Sequence, residues 1–282
     1  MKEISLQLPD IKLGGLRWGE GNPVRVLALH GWLDNAASYT FLAPKLAEAG
    51  CDIIALDLPG HGNSQHRPSG SSYHLVDYIR EVGQAIEVLE WHRPVLLGHS
   101  LGAVVSSLYA SAAGESLSKL VLMEALGPMA DPAERTGENI KRALNRALNP
   151  SAKKRPYYSI EKAVEDRSRG FGGITHQAAE ALVRRNLVAD KQGWVWKTDS
   201  RLRWPSFLRF TEPQVENYLS AINLPTLLVA ASNGIISLDP ESNSRLRCVS
   251  HAKKVLVEGG HHMHMDGDVA HLAREIVSFI QK

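Results

Sequence analysis

Eight short apolar runs punctuate this chain, and in both flanks they alternate with stretches of helical length. The runs are Ile4–Leu8, Leu13–Trp18, Val24–Leu29, Asp52–Asp57, Pro94–Leu97, Leu120–Glu124, Thr226–Ala230 and Lys254–Val257. Between them the patterning predicts helices over Ser38–Ala49, His74–Trp91, Leu101–Ala113, Pro240–Arg247 and Val269–Gln281. A short continuous apolar run suits a strand buried on both faces, and strands separated by helical connections pair in parallel. The alternation therefore predicts an α/β fold built on a mostly parallel sheet flanked by helices. Gly14-Gly15, Gly21-Asn22-Pro23, Pro59-Gly60 and Gly259-Gly260 mark the turns.

A chain of 282 residues is one large domain, or one domain with an insertion. The alternation stops at about Pro128 and resumes after Ser220, and the stretch between reads as an inserted helical cap. Residues 1–127 and 221–282 are then the core, and residues 128–220 the lid. The lid carries 17 Lys/Arg against 11 Asp/Glu, whereas the rest carries 15 against 19. It also holds half of the 18 aromatic residues, among them Trp194, Trp196, Trp204, Phe207 and Phe210, as expected of a lid with its own small core and a solvated basic face, some of whose aromatics form a roof facing substrate. The whole chain is nearly neutral at +2, which argues against a dedicated nucleic-acid binder. Two cysteines, Cys51 and Cys248, supply neither a disulfide framework nor a CxxC zinc pair, and a reducing compartment fits them. MKEISLQLPD lacks the apolar segment of a secretory signal, so the expected location is cytoplasmic. The weakly charged stretch Val95–Gly114 is broken by Gly98, His99, Ser100, Gly102, Ser106 and Ser107, so no membrane span is expected there.

The chemistry centres on Gly98-His99-Ser100-Leu101-Gly102, a GxSxG between a predicted strand and a predicted helix. A nucleophile in such a strained turn needs small residues two places before and after it, so that strand and helix can approach each other. Ser100 is thus the candidate nucleophile. The oxyanion formed on attack needs aimed donors, and the backbone N–H of Leu101 is one. The loop after the third strand, His30-Gly31-Trp32, supplies the N–H of Trp32 as the second. His30, before a glycine turn, reads as loop support. Trp32, Trp204 and His99 are the candidate pocket-lining residues.

A base should follow the last strand, and Gly259-Gly260-His261 does so. His261 is the candidate base, with His262 as the alternative in the tandem, and His264 is expected to pack nearby. The run His262-Met263-His264-Met265-Asp266 also imitates an HxHxD metal motif, but no second ligand-spaced histidine cluster accompanies it and no metal is expected. After the seventh strand, where an acid is often found, the chain reads Ala231-Ser232-Asn233-Gly234 with no carboxylate. Glu124 ends the sixth strand, at the carboxyl edge where sheet-based sites assemble, and is the candidate acid. Asp239 is its substitute.

With these motifs the sequence resembles the α/β-hydrolase superfamily, and within it the serine-hydrolase-like proteins. The stretches that carry the resemblance are LHGWLDNAASY (29–39), DLPGHGNS (57–64), LLGHSLGAVV (96–105), LVLMEALGP (120–128) and EGGHHMHM (258–265). In the insertion, KRAL (141–144) and WKTDSRLRW (196–204) also resemble that subgroup. The resemblance implies an α/β-hydrolase fold, with an eight-stranded, mostly parallel sheet and a helical cap after strand six. An acid after strand six also resembles one group of haloalkane dehalogenases. Those enzymes and epoxide hydrolases use an aspartate nucleophile. Ser100 at that place points instead to acyl transfer to water.

The expected activity is carboxylic-ester hydrolysis through an acyl-enzyme on Ser100, with His261 moving the proton and Glu124 orienting it. No cofactor is required, and the expected partner is a small-molecule ester. Lactone, thioester or carbon–carbon bond hydrolysis would use the same triad. A ligand-binding receptor with a vestigial triad is the reading from a different class.

Overall fold

A computed structural model describes residues 1–150 and 156–282; residues 151–155 of the expected insertion lie outside the described residues. The eight runs form strands β1 (Lys2–Gln7), β2 (Lys12–Trp18), β3 (Val24–Leu29), β4 (Cys51–Leu56), β5 (Val95–His99), β6 (Lys119–Met123) and, past the insertion, two more. Helix α1 (Ala43–Glu48) precedes β4, α2 (Tyr78–Val88) precedes β5, and α3 (Leu101–Ala113) joins β5 to β6. The insertion holds α4 (Thr136–Leu148), α5 (Ile160–Ser168), α6 (His176–Asn186), a hairpin of β7 (Leu187–Asp190) and β8 (Gly193–Trp196), and α7 (Glu212–Ser220). Strands β9 (Thr226–Asn233) and β10 (Lys253–Gly260) complete the sheet, followed by α8 (Met263–Asp266) and α9 (Val269–Ile280).

The sheet runs β1-β2-β4-β3-β5-β6-β9-β10, antiparallel at β1/β2 and β2/β4 and parallel in the other pairs. Its central strands are buried on both faces, and alternate residues serve different cores. Leu27, Leu29, Leu96, Leu120 and Leu122 pack with α2, α3 and α7 on one side. Val26, Ala28, Leu97, Val121 and Met123 pack with α1 and α9 on the other. The continuous apolar runs are the signature of this two-sided burial. Within the insertion, α7 sends Val215 and Leu219 into the first of these cores, while α5, α6 and the hairpin form a third small core around Val164, Ala179 and Val183 that also takes in Met265 of α8.

Two expectations about local structure are corrected. Pro240–Arg247 is not a helix; only a 3₁₀ turn at Ser244–Arg247 forms there. The reason is competition from polar side chains. Asp239 accepts from the N–H groups of Glu241 and Ser242, and Asn243 donates to the carbonyl of Ser237, so local bonds replace helical ones. The insertion is also not wholly helical, since β7 and β8 pair across Leu187–Trp196. The alternation of Trp194-Val195-Trp196 after the short turn at Lys191-Gln192 carried that signal.

Candidate active site

Ser100 stands between β5 and α3 with φ 50° and ψ −114°, a left-handed conformation that L residues other than glycine adopt at a cost. Backbone bonds on both sides fix it: Ser100 N–H donates to Met123 O at 2.9 Å, and Val104 N–H donates to Ser100 O at 3.0 Å. The flanking glycines permit the turn. A Cβ on Gly98 would lie 2.4 Å from the carbonyl of Gly102, and one on Gly102 would lie 2.0 Å from the carbonyl oxygen of Leu29. Strand, elbow and helix are therefore in backbone contact.

Ser100 opens onto a cavity of about 330 Å³ whose wall includes Trp32, His99, Arg167, Trp196, Arg203 and His261. Among the described residues neither Trp32 N–H nor Leu101 N–H donates to a protein acceptor. Trp32 lines the cavity and Leu101 directly follows Ser100. Gly31 packs close beside them, and a Cβ there would press to 3.0 Å from Nδ1 of the buried His99, which would have to give way. The loop is held from below by His30 and His61. His30 accepts the N–H of Leu58 at 2.9 Å, and His61 Nε2 accepts that of Leu33 at 3.3 Å, where φ is +66°. Burial, then the neighbouring His30, drives His61 down to a pKa of about 3, so it remains the neutral acceptor this contact needs.

His261 follows β10 and is buried, with Nδ1 3.0 Å from Oε2 of Glu124. A carboxylate only accepts, so Nδ1 carries the hydrogen and Nε2 is left as a base. The Glu124 carboxylate is itself held by Ala231 N–H at 2.8 Å and Ile235 N–H at 2.7 Å. Asp239, by contrast, is exposed and spends its oxygens on its own turn. His262 pairs elsewhere, with Nε2 3.3 Å from Asp34 and 3.2 Å from Arg167. Ser100 and His261 share the cavity without a mutual hydrogen bond among the described residues. Such contacts often tighten only with substrate bound.

His99 donates Nε2–H to the carbonyl of His261 at 2.8 Å and so fixes the backbone of the candidate base. Burial first, and then the imidazoles around it, push its pKa well below the ordinary histidine range. His264 packs between the rings of His99 (4.1 Å) and Tyr39 (5.6 Å), likewise held neutral by burial. The side chains of the HxHxD run diverge. His262 faces Asp34, His264 lies in the ring stack, and Asp266 accepts Thr175 N–H at 2.8 Å. Among the described residues, no group of three or more His, Cys, Asp or Glu is placed to hold a metal.

Several residues at the site had no mark in the sequence. Arg167 of α5 donates to Asp34 at 2.8 Å, and this pair joins insertion to core beside His262. Burial opposes ionisation of Asp34, but His262 and Arg167 outweigh it and hold the carboxyl well below its usual range. Farther out, Arg185 of α6 reaches Asp57 at 2.8 Å in a buried ion pair. Phe171 sets its ring edge-on to His261 at 5.5 Å. No local pattern singles these out, since each partner lies about a hundred residues or more away. Trp204 is not on the cavity wall. It follows the turn Ser200–Arg203, and Trp196 of β8 supplies the indole instead.

Comparison with known proteins bears on this geometry. A family model described as alpha/beta hydrolase fold matches residues 24–156. The chain is 28% identical over 294 residues to a serine hydrolase-like protein of Dictyostelium discoideum, an alignment covering 99% of this chain and 81% of that one. It is 32% identical over 160 residues to a serine hydrolase-like protein of Homo sapiens, covering 55% of this chain and 77% of the human one. This chain belongs to the α/β-hydrolase superfamily. The crystal structure of a hypothetical protein from Pseudomonas aeruginosa PAO1 superimposes on this hydrolase with a TM-score of 0.94 at 40% identity, over 100% of both chains. Among the described residues, no helix of the hydrolase is long and apolar enough to cross a membrane.

Proposed function

We propose that this hydrolase cleaves carboxylic esters through an acyl-enzyme on Ser100. His261 is the base and acid, Glu124 its orienting carboxylate, and the N–H groups of Trp32 and Leu101 the oxyanion donors. The observation that carries the reading is the buried His261–Glu124 contact of 3.0 Å, with His261 and Ser100 both lining one cavity. Ser100 Oγ attacks the ester carbonyl while Nε2 of His261 takes its proton. The carbonyl electrons move onto oxygen, where two N–H dipoles oppose the developing charge in a site poor in water. Collapse of the adduct expels the alkoxide, which leaves as alcohol with the proton from His261. Water then repeats the sequence on the acyl-enzyme, releasing the acid and restoring Ser100. Glu124 keeps the hydrogen on Nδ1 and stabilises the imidazolium formed in each step. Of residues 128–220, α5, α6 and the β7–β8 hairpin act as the cap over this cavity, while α7 packs in the sheet core.

The test is turnover of short p-nitrophenyl esters together with labelling by a fluorophosphonate. Ser100→Ala should abolish labelling and lower turnover by roughly six orders of magnitude. EDTA should change neither. Full activity in Ser100→Ala, or activity lost in EDTA and restored by zinc, overturns the reading.

A further inference from the structure

The charges on the cavity wall are compensated, with one exception. Asp34 pairs with Arg167 at 2.8 Å, Asp166 with Lys162 at 2.9 Å, and His261 with Glu124 at 3.0 Å. Arg203 also lines the cavity, and among the described residues no carboxylate lies within ion-pair distance of it and none of its donors is used by the protein. Its neighbour in the WKTDSRLRW run behaves differently. Arg201 is consumed by Asp199 at 2.7 Å and by the carbonyls of Arg67, Pro68 and Ser71, so it fastens the insertion to the loop after β4. Two residues on, the guanidinium of Arg203 sits 5.9 Å from the ring centre of Trp32. That indole is anchored in turn, its Nε1–H donating to Leu202 O at 3.0 Å. Arg203 is exposed, and its guanidinium lies beside the half-exposed indole of a residue that also lines the cavity.

A guanidinium resting on an aromatic face keeps its edge donors free, and their fork matches a carboxylate. The cavity, at about 330 Å³, is at the small end of small-molecule sites. We infer that Arg203 is a specificity-determining residue that binds a carboxylate on the substrate, so that the favoured substrates are short half-esters of dicarboxylic acids. This rests on the ester-hydrolase reading above and goes beyond it in naming the substrate class.

The experiment compares ethyl hydrogen succinate with its neutral near-isostere ethyl 4-methylpentanoate, following acid release at constant pH. The wild-type protein should favour the anionic ester. Arg203→Gln should lower the anionic-to-neutral ratio of kcat/KM by roughly 10- to 100-fold, mainly through KM, with Arg203→Lys between the two. Added salt should lower the same ratio in the wild-type protein. An unchanged ratio in Arg203→Gln, or a wild-type protein indifferent to the charge, overturns the inference. Calorimetric binding of both esters to Ser100→Ala separates the two readings. If neither ester is turned over by the wild-type protein, yet Ser100→Ala binds the anionic one in an Arg203-dependent way, the ester-hydrolase reading fails and the subsite stands. Equal binding of both esters removes the subsite whatever the turnover.

Discussion

A Cβ atom on residue 234 would lie 2.2 Å from Oε1 of Glu124, so the carboxylate facing His261 and any side chain at position 234 compete for one space. Glycine at 234 is the complement of glutamate at 124. Glu124 reaches that space from the end of β6 with φ +56°, and the N–H groups of Ala231 and Ile235 that would surround an acid there bond the Glu124 carboxylate instead.

The acid can therefore be moved, but not doubled. Gly234→Asp alone should lose most turnover, because the new side chain collides with Glu124. In a Glu124→Gly background, where the positive φ suits glycine, Gly234→Asp should recover turnover to at least about tenfold above the single Glu124→Gly protein. Steady-state kcat for the three variants decides it. No recovery in a stably folded double variant means that position 234 cannot serve His261.

Glu124→Gln should lower kcat by roughly 10⁴-fold, the scale seen when the carboxylate that fixes a catalytic imidazole's tautomer becomes an amide. Asp239→Asn should stay within about threefold, because Asp239 is exposed and bonded only to its own turn. Comparing both at equal stability is the measurement. The reverse order would reassign the acid.

Trp196 lines the cavity, with its ring edge-to-face against Tyr157 at 5.8 Å, whereas Trp204 does not line it. Trp196→Ala should change the ratio of kcat/KM between short and long acyl esters, with ~1–3 kcal/mol available per methylene-scale fit. Trp204→Ala should leave the chain-length profile as it is. A panel of esters from acetate to octanoate tests both, and a silent Trp196→Ala would move selectivity to the loop at Trp32.

His30, His61, His99 and His264 are buried with pKa values below the ordinary histidine range, burial being the first cause for each. In the unfolded chain they titrate near 6.5. Below that pH the unfolded state binds more protons than the folded one, so stability falls as pH falls, by up to roughly 1.4 kcal/mol per pH unit for each histidine. Asp34 and Asp57 have depressed folded values. Their contribution is present above the unfolded aspartate pKa and is lost only at lower pH, as it falls toward the folded values. Urea unfolding at pH 7.5, 6.5 and 5.5 should therefore show a steep loss that begins with the histidines. A flat profile over that interval would show that these imidazoles already gain protons in the fold.

The sequence by itself determined the sheet and the elbow. Those features are local: a two-sided strand must be apolar throughout, and a strand-to-helix turn this tight must have Gly98 and Gly102, whatever else the chain does. It also put Glu124 and His261 at strand ends, but left Asp239 and His262 open, because spacing along a chain does not say which of two polar side chains faces a partner more than a hundred residues away. Only the tertiary structure decided those pairings. It turned His262 to Asp34 and His261 to Glu124, and it spent Asp239 on its own turn, since a buried polar group goes where a partner can satisfy it. The two arginines of WKTDSRLRW differ for the same reason. Arg201 meets backbone carbonyls of the loop after β4, while Arg203, two residues on, is exposed and meets only the face of Trp32.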